Sequence, residues 1–198
     1  MSQSSPIPTL VVMARWPANG RCKRRLAADI GGEQAAIIQQ RLTAHTFAVA
    51  KALSEQGDVD VQVAMSGVGL RSAQRSLRSL PPCTLVDQGR GTLGARMLRQ
   101  IHHARFGRHN KPVIVIGTDL ADLCQNDLLH AIQRLQNQPL VLGPSADGGS
   151  VHAAKLWLAQ ALLGHRPPQS AAQRALRRDA AGSVMVQRSD AARLSRYT

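Results

Sequence analysis

Residues 112–119 read Pro-Val-Ile-Val-Ile-Gly-Thr-Asp, and this stretch decides the fold class. An apolar, mostly β-branched run that stops at a glycine predicts a buried parallel strand. In open α/β sheets, ligands bind in the crevice outside the carboxyl ends of the strands. Asp119, directly after this strand, is therefore predicted to touch a substrate or a metal. The alternative is that Asp119 only caps the helix that follows.

Short apolar segments alternate with helical patterns along the rest of the chain. Further strands are predicted at residues 9–14, 59–65, 84–87, 139–144 and 150–154. Helices are predicted at residues 32–57, 70–80, 93–106, 126–136 and 157–163. Two finer predictions are that Thr92 is the N-cap of its helix and that the strand at residues 59–65 has one wetter face. Strands alternating with helices predict one three-layer α/β/α domain, residues 1–198, with a mainly parallel sheet.

The composition favours a phosphate-bearing partner. Lys and Arg number 25 against 12 Asp and Glu, a net charge of +13, which attracts polyanions. Aromatic residues make up only 3% of the chain, which disfavours nucleic-acid binding by base stacking. The three cysteines form no Cys-x-x-Cys pair, as expected of a reduced, cytoplasmic protein without a zinc site. No apolar run approaches the roughly 18 residues that a membrane span needs.

A basic loop, residues 14–26, follows the first predicted strand and contains Gly20, Lys23 and Arg25. Backbone N–H groups around a glycine, together with Lys and Arg side chains, suit phosphate oxygens. The loop matches neither the G-x-x-x-x-G-K-S/T pattern nor G-x-G-x-x-G. A solvated basic loop or a nucleic-acid patch is the alternative interpretation.

A second carboxylate, Asp147, also comes just after a predicted strand. Asp119 and Asp147 beside a basic loop are the groups that a Mg²⁺–nucleotide site requires, since hard cations take oxygen ligands. The alternative for Asp147, Gly148 and Gly149 is ordinary turn chemistry. The histidines match no metal motif, and no G-x-S-x-G elbow indicates a serine hydrolase.

Four segments, in this order, resemble the motifs of one family. Residues 14–26 resemble A-K-x-P-x-x-G-x-x-K-T-R-L, 88–97 resemble Q-x-G-D-L-G-E-R-M, 116–123 resemble I-G-S/T-D-x-P-x-L, and 142–149 resemble L-G-P-A-x-D-G-G-Y. The family is that of the GT-A-like bacterial transferases, described as a domain of unknown function or as radical-SAM/selenodomain-associated transferases. The resemblance covers about residues 9 to 165 and implies the GT-A-like fold of nucleotide-diphospho-sugar transferases. The first segment also resembles the phospholactate guanylyltransferases.

The resemblance implies roles for the matching positions only. Phosphate or nucleotide binding is implied for Gly20, Lys23, Arg25, Gly94, Arg96, Gly148 and Gly149. Asp119 and Asp147 are the implied catalytic residues and metal ligands, with Mg²⁺ or Mn²⁺ as the cofactor. The chain departs from the family pattern at Arg24, Thr92, Ala95, Ala121 and Ser150, where the family has Thr, an acid, Glu, Pro and Tyr.

The implied activity is that of a metal-dependent, glycosyltransferase-like enzyme that uses a nucleotide-diphospho-sugar donor and a small-molecule acceptor. One alternative is a guanylyltransferase-like nucleotidyltransferase that moves a nucleoside monophosphate from a nucleoside triphosphate to a phosphorylated acceptor. The departures from the pattern indicate another, a catalytically weakened nucleotide-binding homologue. The net charge keeps a basic nucleic-acid binder as a further alternative, and the oligomeric state is not indicated.

Overall fold

The computed structural model describes residues 6–76, 81–106, 111–138, 140–142 and 158–160. All of them belong to one compact unit, Met1–His165. The second unit, Arg166–Thr198, lies outside the described residues, so the single-domain prediction for residues 1–198 stays a prediction. In the described part of the chain, no helix is long and apolar enough to cross a membrane.

The described residues form a six-stranded sheet with helices against it. The strands are β1 (Thr9–Arg15), β2 (Asp60–Ser66), β3 (Thr84–Asp87), β4 (Val113–Gly117), β5 (Leu140–Leu142) and β6 (Leu158–Gln160). The helices are α1 (Arg24–Ile30), α2 (Gly32–Glu55), α3 (Leu70–Ser76), α4 (Leu93–Arg105) and α5 (Gln125–Leu135). The strand order is β3-β2-β1-β4-β6-β5. The strands β1 to β4 pair in parallel and β6 is antiparallel to both of its neighbours, so the predicted mainly parallel sheet is confirmed.

The alternation of side chains along the strands produces the three layers. Leu10 of β1 lies in one core cluster with Phe47 of α2 and Leu128 of α5. Gln62 of β2 is in register with the residue after Leu10 and therefore points to the opposite face. There its Nε2 donates to Oε1 of Gln100 in α4 at 3.2 Å. Helices therefore cover both faces of the sheet, as the sequence predicts.

The prediction that β2 has one wetter face is wrong. Gln62 is only 4% exposed, because α4 covers this face of the sheet. Its amide is satisfied by partners on α4, with Nε2 donating to Gln100 and Oε1 lying 2.9 Å from Nδ1 of His103. A buried polar group needs such partners, so the alternation in this strand marks a buried hydrogen-bond network and not a solvated surface.

The helix predicted at residues 157–163 is also wrong, since Leu158–Gln160 forms β6. Periodicity cannot separate a short apolar strand from a buried helical segment. The deciding contacts are the backbone pairings of this segment with β4 and β5 on either side. The strand predicted at residues 150–154 lies outside the described residues, as do residues 77–80 at the end of the helix predicted at residues 70–80.

Thr92 is the N-cap of α4, as predicted, and its Oγ1 accepts from the N–H of Ala95 at 3.3 Å. Replacement by alanine removes this partner, so Thr92→Ala is expected to lower the free energy of unfolding by about 1 kcal/mol. Thermal denaturation should show a melting temperature about 2–4 °C lower. Thr92→Asp should keep wild-type stability, because aspartate caps equally well and suits the helix dipole. Equal destabilisation by both substitutions would contradict the capping role.

Candidate functional site

The loops after β1 and β4 meet at a topological switch point of the sheet. These strands are neighbours, and from β1 the chain proceeds to β2 on one side while β4 lies on the other. Parallel sheets bind ligands in the crevice at such a point, outside the carboxyl ends of the strands. Gly117, the last residue of β4, borders open space there, since a Cβ on it would have no described atom within 4 Å.

Two predicted site residues, Lys23 and Asp119, are in direct contact across this crevice. Nζ of Lys23 lies 3.0 Å from Oδ1 of Asp119, in a pair that joins the loop after β1 to the loop after β4. The Lys23 side chain is 20% exposed and the Asp119 side chain 69% exposed. An exposed pair of this kind is worth at most about 1 kcal/mol. The contact therefore shows which groups share the site, and it can open at low cost.

The backbone of Lys23 is in the left-handed conformation. Its φ is 43° and its ψ 49°, and among the described residues no other non-glycine residue has a positive φ. For a residue with a Cβ this conformation costs roughly 1–2 kcal/mol. Such strain persists only where surrounding structure imposes it, and it concentrates at functional sites. The loop after β1 thus presents the Lys23 ammonium to the crevice in a conformation that the isolated chain disfavours.

The loop between β1 and α1 is anchored by short-range contacts. Cys22 is buried, and its Sγ donates to the carbonyl oxygen of Ala18 at 3.3 Å. The N–H of Arg21 donates to the same oxygen at 3.1 Å. Position 20 requires a glycine, because its φ of 69° lies in the left-handed region that other residues disfavour. These contacts fold the basic loop into a compact turn.

A pocket of about 310 Å³ opens between this turn and the loop after β2. Its lining consists of Arg15, Trp16, Gly20, Arg21, Arg24 and Gly67. Guanidinium groups bind phosphate through forked hydrogen bonds, and an indole ring offers a flat apolar surface. The pocket therefore suits an anionic ligand that also carries a planar or apolar part.

Of the predicted phosphate-binding residues in the basic loop, two lie at the pocket or at Asp119 and one does not. Gly20 lines the pocket and Lys23 contacts Asp119, whereas Arg25 is exposed and does not belong to the lining. Arg24, at which the chain departs from the family pattern, does line the pocket. Sequence reasoning did not single out Arg15, Trp16 or Arg21, although all belong to the same basic loop.

Helix α2 fixes the loop that carries Asp119. Gln39 is buried, and its Nε2 donates to Oγ1 of Thr118 at 3.0 Å. Further along the loop, Nε2 of His45 lies 2.9 Å from the carbonyl oxygen of Leu123. Asp119 is thereby held between two anchor points on one helix. Nothing local in the sequence marks Gln39 or His45 for this role.

Arg96 lies at the carboxyl ends of β1 and β2, held by Gln88. Nη1 of Arg96 donates to Oε1 of Gln88 at 2.8 Å, and Nε2 of Gln88 donates to the carbonyl oxygens of Ala14 and Ala64, each at 2.9 Å. Nε of Arg96 is buried without a hydrogen-bond partner among the described residues. Gly94, another predicted site residue, is half-buried in the first turn of the same helix. Arg96 therefore lies at the carboxyl edge of the sheet, and its nucleotide-binding role stays a prediction.

The metal ligands remain predictions. Asp147, Gly148 and Gly149 lie outside the described residues, and within the described ranges no three His, Cys, Asp or Glu side chains form a group that could hold a metal ion. Asp119 alone does not supply enough ligands to surround a metal ion. Mg²⁺ in nucleotide enzymes commonly takes one or two carboxylates and completes its shell with phosphates and water. The exposed Asp119 carboxylate therefore fits a metal–nucleotide complex better than a free metal ion.

Burial holds the Cys83 thiol in its protonated form. Burial raises the pKa of its thiol above the usual value, and a weaker opposing effect comes from a hydrogen bond with the backbone of Val63. The thiolate is the reactive form of cysteine. A raised pKa keeps the Cys83 thiol protonated, and so less reactive, near neutral pH.

The strand order, the antiparallel β6 and the crevice beside β1 and β4 define a GT-A-like fold, that of the nucleotide-diphospho-sugar transferases. The chain belongs to a family of uncharacterized proteins conserved in bacteria (DUF2064), which matches residues 43–162.

Comparison with one solved structure supports the fold. One similar structure is that of a "putative nucleotide-diphospho-sugar transferase" from Desulfovibrio desulfuricans G20, with a TM-score of 0.63 and 19% sequence identity over 79% of this chain. The match covers 64% of that protein, so this chain spans less than two thirds of its length. A weaker match, with a TM-score of 0.45 and 15% identity, is to a 4-diphosphocytidyl-2C-methyl-D-erythritol synthase, over 81% of this chain and 74% of that one. No curated protein sequence matches this chain.

Proposed function

We propose that this protein is a transferase that binds a nucleotide-diphospho-sugar, together with Mg²⁺ or Mn²⁺, at the carboxyl edge of its sheet. The observation that carries the proposal is the 3.0 Å contact between Lys23 and Asp119 at the switch point. A cation and a carboxylate that meet at this crevice are the two groups needed to bind phosphates and a metal.

The charge around the crevice supports a phosphate-bearing ligand. Arg15, Arg21 and Arg24 line one pocket, and Lys23 belongs to the same loop. Arginines recognise phosphate oxygens in a forked geometry, while a lysine acts as a compact point charge. The pocket volume of about 310 Å³ is at the lower end of the range for small-molecule sites. We assign it to one portion of the nucleotide, since the whole donor is larger.

Asp119, with Asp147 as a further candidate, would hold the divalent metal. The bound metal would neutralise charge on the diphosphate. In the structure described here, the ammonium of Lys23 is the cation beside the Asp119 carboxylate. On nucleotide binding, Lys23 would exchange this carboxylate for phosphate oxygens, which the low cost of opening an exposed pair permits.

The transfer step follows from these roles. The acceptor hydroxyl oxygen forms a bond to the anomeric carbon of the sugar, and the bond from that carbon to the diphosphate oxygen breaks. The nucleoside diphosphate leaves with the electron pair, and the hydroxyl proton passes to solvent. Lys23 and the pocket arginines stabilise the negative charge that develops on the leaving group, as preorganised cations do.

The number of cations also favours a second candidate, nucleotidyl transfer. The three pocket arginines together with Lys23 match the charge of a triphosphate at least as well as that of a diphosphate. In this reaction a phosphate oxygen of the acceptor bonds to the α-phosphorus of a nucleoside triphosphate. The bond from the α-phosphorus to the bridging oxygen breaks, and pyrophosphate leaves.

A thermal-shift screen of nucleotide sugars and nucleoside triphosphates, each with Mg²⁺, Mn²⁺ or chelator, tests the proposal. A ligand at 100 times its Kd stabilises the native state by about 2.7 kcal/mol, which should raise the melting temperature by roughly 5–10 °C. Release of nucleoside diphosphate or of pyrophosphate then separates the two reactions. Binding without either product would identify a catalytically weakened homologue.

No stabilisation by any of these ligands would overturn the proposal. DNA and RNA serve as comparison ligands, because the net charge alone could produce their binding. Such binding would weaken steeply with added salt. A protein that bound nucleic acid in this way and no nucleotide would be a basic nucleic-acid binder.

A further inference from the structure

We infer that Gln88 is a positioning residue that aims Arg96 at the nucleotide, and that the Nε–H of Arg96, which has no partner among the described residues, donates to an oxygen of that nucleotide. The inference rests on the proposed function, because it requires a nucleotide at the carboxyl edge of the sheet.

The side-chain amide of Gln88 can adopt only one orientation. Gln88 is 3% exposed, and its Nε2 donates to the carbonyl oxygens of Ala14 and Ala64 on adjacent strands. Carbonyl oxygens are acceptors only, so the NH₂ group must face them. The amide oxygen then necessarily faces Arg96, and it accepts from Nη1 of that residue at 2.8 Å. The ends of β1 and β2 therefore dictate the position of the Arg96 guanidinium.

Two features of the Arg96 guanidinium, its charge and its Nε–H, suit it to contact a ligand. The partner of its Nη1 is a neutral amide, so this hydrogen bond does not neutralise the positive charge. Its Nε is buried without a partner in the described part of the chain. A buried donor of a charged group is costly to leave unsatisfied. Because this N–H has almost no accessible surface, an oxygen acceptor on a phosphate or on a nucleobase would complete it after a small shift of the side chains around it.

Arg99, one turn further along α4, serves a different purpose. Its Nη1 donates to the backbone oxygen of Gln88 at 2.6 Å and its Nη2 to the backbone oxygen of Arg90 at 3.0 Å. These bonds clamp the loop that carries Gln88. Arg99 is therefore a matched control for Arg96, since it stiffens the same loop through backbone contacts.

A double-mutant cycle between Gln88 and Arg96 tests the inference. Calorimetry would measure the Kd of the tightest-binding nucleotide for the wild type, Gln88→Met, Arg96→Gln and the double variant. Gln88→Met should weaken binding about 10-fold in the wild-type background and less than about 2-fold in the Arg96→Gln background, since coupled residues show interaction energies of this order. Arg99→Gln should change the Kd less than about 2-fold. Equal losses from Gln88→Met in both backgrounds would mean a merely structural role and would overturn the inference.

Arg96→Lys keeps the inference testable if Gln88→Met fails to fold. Lysine keeps the charge, but its three N–H groups share one nitrogen and lack the planar fork that lets Arg96 contact Gln88 and the ligand at once, so we expect a loss close to that of Arg96→Gln. Unchanged affinity in both Arg96 variants would overturn the inference. The same variants titrated with nucleoside, monophosphate and diphosphate identify the acceptor. A loss confined to the phosphorylated ligands points to a phosphate oxygen, and a loss shared by the nucleoside points to the base. Absence of nucleotide binding by the wild type would instead refute the proposed function.

Discussion

Replacing Asp119 with asparagine is expected to abolish metal-dependent nucleotide binding and to leave the fold intact. The amide keeps the shape of the side chain but removes the negative charge that a divalent cation requires. We expect the affinity for the metal–nucleotide complex to fall at least about 100-fold, a loss of about 2.7 kcal/mol. The Asp119 side chain is 69% exposed, so the free energy of unfolding should change by less than about 0.5 kcal/mol.

Calorimetry with and without Mg²⁺, together with thermal denaturation, measures both effects. Glu55→Gln is the matched control, because Glu55 is an exposed carboxylate at the end of α2, near the start of β2 and so at the opposite edge of the sheet. This control should bind like the wild type. If Asp119→Asn kept the Mg²⁺-dependent affinity of the wild type, the assignment of Asp119 would be wrong.

Replacing Lys23 with glycine is expected to weaken nucleotide binding about 10- to 100-fold. Hydrogen bonds to charged groups contribute about 1.5–3 kcal/mol, and the substitution removes those that the ammonium would make to phosphate. Glycine is the informative choice because the φ of Lys23 is 43°. Glycine adopts this conformation without strain, which stabilises the folded state. It also makes the unfolded chain more flexible, which offsets that stabilisation, so the free energy of unfolding should change little.

The same variant should bind Mn²⁺ more tightly in the absence of nucleotide, because Asp119 loses the ammonium 3.0 Å away. Titration of free Mn²⁺ by electron paramagnetic resonance measures this opposite effect. Lys51→Ala removes a lysine that forms an ion pair with Glu55 on α2, and it should change neither affinity. Wild-type nucleotide affinity in Lys23→Gly would contradict the role of Lys23.

Local sequence signals were sufficient to predict most strands and two parts of the candidate site, the position of Asp119 and the basic loop after β1. The apolar run before Gly117 predicts both β4 and the placement of Asp119 at the carboxyl edge. The glycine and basic residues after β1 predict a loop suited to phosphate. Thr92 is recognisable as an N-cap from its side chain and its place before a helical pattern.

The remaining features depend on contacts between distant segments. Gln62 is buried only because α4, about 40 residues later in the chain, covers it. Likewise, Gln39 reaches Thr118 across 79 positions. No local pattern distinguishes Arg24, which lines the pocket, from Arg25, which does not. Which side of a loop faces a crevice is decided by how the loop folds, and neighbouring basic residues look alike in the sequence.

In the proposed function, the loops after β1 and β4 together bind a metal–nucleotide complex. A crystal structure with Mn²⁺ and the tightest-binding nucleotide, with the metal located by its anomalous signal, tests it most directly. We predict a Mn²⁺ peak within coordination distance of the Asp119 carboxylate, the phosphates beside Lys23, and the pair between Lys23 and Asp119 broken. A nucleotide bound elsewhere, with the 3.0 Å contact between Lys23 and Asp119 intact, would contradict the account.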